Sequence, residues 1–116
     1  MFHEDGDLRE RTFQLGRRVA RLYRALPARD RLAQIYGEQL IRAANSVAAN
    51  YREAQRGRSV AEYRSKLGDC LREADETHLW LECLSADGIV PYPRLADLRQ
   101  EVSELIAIFV TLLRKH

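Results

Sequence analysis

Four stretches of the chain place apolar residues at alternating steps of three and four, the pattern of a helix that packs lengthwise along one face. The first runs Leu8, Thr12, Leu15, Val19, Leu22, Leu26, and the second Leu32, Tyr36, Leu40, Ala43, Val47, Asn50, Ala54. The third is Val60, Tyr63, Leu67, Cys70, Ala74, Thr77, Leu81, Leu84, and the fourth Leu95, Leu98, Val102, Leu105, Phe109, Leu112. No segment carries a strand signal. Four seams of this kind predict an all-α four-helix bundle, and at 116 residues the chain is expected to be one domain over 1–116, with residues 1–6 as a flexible arm.

Punctuation between the seams sets the expected boundaries. Asp7 is placed to cap helix 1, which runs to about Leu26 before Pro27. Helix 2 is expected from about Asp30 to Gln55, with Gly57 as a left-handed C′ residue. Ser59 and Glu62 spell a capping box at the start of helix 3, expected over 60–86, in which each side chain bonds the other residue's backbone N–H. Gly88 then supplies a C-cap, and Pro91 and Pro93 mark the turn into helix 4.

The start of the chain, MFHEDGD, is acidic and polar, unlike a secretory signal, and no apolar run approaches the ~20 residues of a membrane span. A cytoplasmic location without membrane contact is expected. Cys70 and Cys83 lie thirteen residues apart on one predicted helix, about 20 Å, beyond disulfide reach, and two free thiols agree with a reducing compartment.

The segment Leu105–Leu113 is apolar almost all round, and Leu79, Trp80 and Cys83 lie off the seam of helix 3. A surface helix of a monomer has no use for a second apolar face, so self-association is expected, through Leu79, Trp80, Ile106, Ile108, Val110 and Leu113.

The net charge of +2 conceals a polarity: residues 8–31 hold eight Arg against Glu10 and Asp30, whereas residues 73–104 hold eight carboxylates against Arg94 and Arg99. Arg17, Arg21 and Arg24 stand at i, i+4 and i+7 opposite the first seam, flanked by Arg11 and Arg18. Such a stripe suits phosphates or an acidic partner; it equally suits a solvated face or pairing with carboxylates of helix 3 in the same or another subunit. No stacking aromatics are expected to interleave these arginines on the stripe.

Catalytic patterns are thin. Asp75 and His78 have the i,i+3 spacing of carboxylate-bridged di-iron bundles, but those sites need two Glu-x-x-His pairs and two further Glu, so no metal or cofactor is expected. Arg72 and His78 have the Arg-x(4 to 6)-His spacing of helical ribonucleases, yet six residues turn a helix by about 240° and separate the two side chains. The chain is therefore expected not to be an enzyme. Arg42, Asn45, Ser46, Asn50 and Glu53 form a polar constellation near the second seam, expected as a hydrogen-bonded layer that fixes register.

The block from Gln39 to Ala54, followed by Arg58-Ser59, Lys66-Leu67, Leu71 to Thr77 and Trp80-Leu81-Glu82, resembles the four-helix bundle family of proteins encoded in 23S rRNA intervening sequences. Asp7-Leu8-Arg9 and Tyr23 to Pro27 add to the likeness, which covers about residues 7–114. The resemblance implies an up-down-up-down antiparallel bundle that assembles as a homopentamer. It is similar to the accessory variability protein of diversity-generating retroelements, whose basic pentamer engages a reverse transcriptase and nucleic acid. Ser46, Asn50, Glu53, Arg58, Ser59, Glu73, Glu76 and Trp80 correspond to the family's marked positions and are expected to be structural. The combined expectation is a non-enzymatic oligomeric scaffold or adaptor, binding RNA or DNA or a nucleic-acid-processing protein through Arg11, Arg17, Arg18, Arg21 and Arg24; the alternative is a protein–protein interaction module without nucleic acid.

Overall fold

The structure is a computed structural model that describes residues 7–116; the arm expected over residues 1–6 lies outside the described residues. Four helices follow one another: α1 (Leu8–Ala25), α2 (Arg31–Gln55), α3 (Val60–Ala86) and α4 (Tyr92–Lys115). Sequential helices pack side by side, giving the all-α four-helix bundle, and its 46 × 20 × 19 Å extents are those of helices aligned along one axis. The α2/α3 pair is the most extensive and α1/α4 the lightest.

Local chemistry accounts for the ends. The Asp30 carboxylate accepts the Ala33 N–H at 3.1 Å, and Ser59 Oγ accepts the Glu62 N–H at 3.1 Å. Glu62 returns its bond to the Arg58 N–H at 3.2 Å, one residue earlier than the reciprocal box expects. Asp7 sits at the N-cap of α1, but its side chain makes no capping bond, because its backbone is not in the extended conformation that aims the carboxylate at the first turn. Gly88 closes α3 with φ +73°; its N–H reaches Ser85 O at 3.1 Å and the Ile89 N–H reaches Leu84 O at 2.9 Å, a Schellman motif. Gly57 does not adopt the left-handed conformation expected of it. It is required for space, since a Cβ there would lie 3.1 Å from both Ala54 O and Tyr63 N.

The core runs the length of the bundle through Leu15, Val19, Leu40, Val47, Tyr51, Tyr63, Leu67, Leu81, Leu95, Leu105 and Phe109, all fully buried. The expected seams hold along α1 and α4 and for most of α3, but α2 is rotated from the expected register. Ala33, Gly37, Ala44 and Tyr51 are buried, Asn50 is half-buried, and Leu32 is exposed, as is Val60 at the start of α3. The reason is close packing against α1: a Cβ on Gly37 would lie 2.4 Å from the Tyr23 ring and 2.8 Å from Leu26 Cδ1, so the smallest residues of α2 face α1. Asn50 is therefore no core residue; its side-chain amide donates back to Ser46 O at 2.9 Å.

No helix of the described residues is long and apolar enough to cross a membrane.

Candidate nucleic-acid interface

The expected α1 arginines divide into two groups once neighbours are in place. Arg11 faces α4, where Nε and Nη2 grip the Glu101 carboxylate at 3.1 and 2.7 Å and Nη2 also reaches Glu104 at 3.0 Å. The Glu101 hydrogen bond, reinforced by the charges of Glu101 and Glu104, pushes the Arg11 pKa still further up against the effect of burial. Arg11 thus ties α1 to α4 and leaves the set of residues free to meet a partner. Arg17, Arg18, Arg21 and Arg24 have no carboxylate partner among the described residues; Arg21 and Arg24 are exposed, Arg17 and Arg18 half-buried. Pairing of this stripe with α3 carboxylates of the same chain does not occur among the described residues.

An aromatic ring does sit among these arginines, contrary to the sequence reading. Phe13 is 39% exposed, with the Arg17 guanidinium 5.3 Å and the Arg52 guanidinium 5.7 Å from its ring centroid. Arg17 Nη2 donates to Asn45 Oδ1 at 2.9 Å, and its Nε is shielded from water without a partner among the described residues. Phe13, Arg17, Asn45, Ala48, Ala49 and Arg52 line a groove of about 260 Å³ between α1 and α2. Phe13 and Arg17 share one face at i,i+4 spacing, which the sequence shows; Arg52 arrives from α2, which it does not.

The acidic half of the chain is largely spoken for. Glu76 holds Arg42 at 3.0 Å and Arg72 at 3.5 Å, and buried Glu73 meets Arg42 at 3.5 Å and Arg72 at 3.4 Å. Lys66 bridges Glu53 at 2.6 Å and Asp69 at 3.9 Å, and the Glu53 hydrogen bond raises the Lys66 pKa. Of the positions singled out by the resemblance, Glu53, Glu73, Glu76 and Trp80 make contacts between α2 and α3, whereas Asn50 bonds Ser46 within α2 and Ser59 caps α3. Exposed Arg58 lies 3.8 Å from Glu62. Trp80 packs against Tyr36, ring centroids 5.9 Å apart, and its buried Nε1 has no partner among the described residues. Tyr36 in turn donates to Asp87 at 2.5 Å, a bond that pushes its hydroxyl up to about 12.

The expected oligomer surface is partly covered by the chain itself. Trp80, Ile106, Ile108 and Leu113 are half-buried against the core, and Val110 is half-buried too. α3 covers one side of α4 and α1 meets it lightly, while Ala107, Ile108, Thr111 and Leu112 line a mostly apolar depression that stays open. Leu79 is 49% exposed, and Leu32 and Ile35 on α2 are 43% exposed each. The α2/α3 register set by Tyr36–Asp87 and Arg42–Glu76 brings these three to the same end of the bundle.

Arg72 and His78 both border one open depression on α3. Arg72 is engaged by Asp69, Glu73 and Glu76, and His78 Nδ1 lies 2.9 Å from Glu82. Among the described residues no three His, Cys, Asp or Glu side chains gather as a metal site.

The same fold is found in the crystal structure of a protein of unknown function from the S23 ribosomal protein family of Bacteroides thetaiotaomicron VPI-5482, with a TM-score of 0.87, 24% sequence identity, and coverage of 95% of this chain and 97% of that one. No curated protein matches the chain. Residues 4–111 match the 23S rRNA-intervening sequence protein family, and with the four helices and the α2/α3 polar seam in place, the chain belongs to that family.

Proposed function

We propose that this chain is a cytoplasmic, non-enzymatic scaffold or adaptor that works as a homo-oligomer and binds RNA, or a partner that processes nucleic acid, through α1. One observation carries the reading: Arg17, Arg18, Arg21 and Arg24 follow one another along α1 with no carboxylate partner among the described residues, whereas Arg11 of the same helix is held by Glu101 and Glu104. Arg17 to Arg24 covers about 10 Å of helix, enough for consecutive phosphates along one strand. Guanidinium groups left without an internal anion keep their charge and donors for an external one. The exposed apolar residues Leu32, Ile35 and Leu79 supply a surface for copies of the chain, and the family resemblance points to five.

The test is RNA binding followed against salt. Three phosphate contacts per subunit predict a log–log slope of roughly −2 for a single strand, and Arg17→Glu with Arg21→Glu and Arg24→Glu should abolish binding while the helical signal is kept. A wild-type protein that retains no RNA at about 50 mM salt refutes the binding half of the reading. Light-scattering mass decides the other half: a stable single 13.4 kDa copy at micromolar concentration refutes the oligomer.

A further inference from the structure

We propose that the groove at Phe13 seats one unpaired base of single-stranded RNA, with Arg17 and Arg52 taking the phosphates on either side. The inference rests on the RNA-binding reading and goes further, because it names the form of RNA and the residue that distinguishes it.

A phenyl ring exposed on a helix surface between two cations is a stacking platform of the kind that serves single strands, where each base offers a free face. Phe13 has this setting, flanked by one guanidinium from its own helix and one from α2. Arg52 has no carboxylate partner among the described residues, so it can leave the ring for a phosphate without breaking an ion pair. Arg17 is held in place by its Nη2 bond to Asn45 Oδ1 and has no carboxylate partner among the described residues, so its charge is left for an entering anion. The floor is formed by the short side chains of Ala48 and Ala49, and Asn45 stands at the edge with an amide able to meet the polar rim of a base. Gly16 makes room for that amide: a Cβ there would lie 2.4 Å from Asn45 Oδ1. The volume of about 260 Å³ suits a single base and part of its sugar. A duplex keeps its base faces inside its own stack and can reach only the arginines. An acidic peptide would use the cations but has no regular need of the ring.

Fluorescence anisotropy with labelled oligoadenylate and with a fully paired RNA duplex separates the cases. Phe13→Leu keeps an apolar side chain at a partly exposed site and should weaken oligoadenylate binding roughly tenfold while leaving duplex binding and the salt slope unchanged. Phe13→Trp should restore the single-strand affinity. If Phe13→Leu changes neither affinity while Arg21→Glu with Arg24→Glu abolishes both, the base seat is refuted and the basic-face reading stands. Equal weakening of single strand and duplex by Phe13→Leu also overturns the base seat, since the ring then only props the arginines. A wild-type protein that binds neither RNA removes both readings. If a glutamate–tyrosine copolymer binds and depends on Phe13 while oligoadenylate binding does not, the groove belongs to a peptide and the assignment is wrong.

Discussion

Replacing Arg11 by Gln should destabilise the fold and leave RNA binding nearly intact, whereas replacing Arg21 by Gln should do the reverse. Arg11 makes three charge-assisted bonds of 2.7 to 3.1 Å to Glu101 and Glu104, and its side chain is 25% exposed against 19% for Glu101. Fully exposed pairs contribute about 0–1 kcal/mol and breaking buried ones costs about 3–5 kcal/mol, so this half-buried, bidentate contact should cost about 1–2 kcal/mol when broken. α1 and α4 meet lightly elsewhere, so little compensates. With an unfolding entropy of about 2.1 cal/mol/K per residue, such a loss lowers the Tm by about 4–8 °C. Arg21 is exposed and unpaired among the described residues, so its removal should change stability by under about 0.5 kcal/mol while reducing the salt slope by about 0.7. Circular dichroism melts and RNA titrations on the same two variants provide both readouts. The Glu104 carboxyl is held below its ordinary range by Gln100 and Arg11, so this support exists above the unfolded carboxylate pKa and fades as the pH falls through the folded one. Acidification should accordingly narrow the gap between wild type and Arg11→Gln. Equal melting temperatures at neutral pH, or a larger loss of RNA affinity from Arg11→Gln than from Arg21→Gln, would refute the division of the arginines.

Two glycines on α2 and α3 should respond oppositely to alanine: Gly68 has open space around its Cβ direction and Gly68→Ala should stabilise by about 1 kcal/mol, while Gly37→Ala meets the Tyr23 ring and Leu26 and should destabilise by about 1–2 kcal/mol net, both read as shifts in urea midpoint at constant m. Gly88→Ala forces a side chain onto φ +73° and should cost about 1–2 kcal/mol by the same measurement. Ellman's reagent at pH 8 should titrate half-buried Cys83 first and reach Cys70 only as the protein unfolds. Burial pushes the Cys70 thiol up to about 12 from an ordinary 9.0, so the folded state keeps a proton the unfolded chain has lost; stability is intact below about pH 9 and should fall by at most ~1.4 kcal/mol per unit toward pH 12, with Cys70→Ala flattening that decline in alkaline denaturation curves.

The helices and the exposure of Arg21 and Arg24 were legible in the sequence because they depend on short-range rules: the 3.6-residue period, the Asp30 and Ser59 caps, and the Gly88 turn each involve groups within a few residues. Pairing across helices obeys no such local rule. Arg11 and Arg18 look alike along the chain, yet only Arg11 meets carboxylates among the described residues, because the rotation of α1 against α4 places Glu101 and Glu104 beside it. The apolar end of α4 suggested a partner, and the partial burial of Ile106, Ile108 and Leu113 against the chain's own core could be seen only after the helices had been packed. The register of α2 likewise followed from how closely Gly37 lets α1 approach, and at the Phe13 groove it is Gly16 that admits Asn45 beside α1. Periodicity determined which elements form and, except along part of α2, which faces they bury, while the choice of neighbours belonged to the tertiary structure, because contact between distant residues depends on helix rotation and spacing that no local pattern encodes.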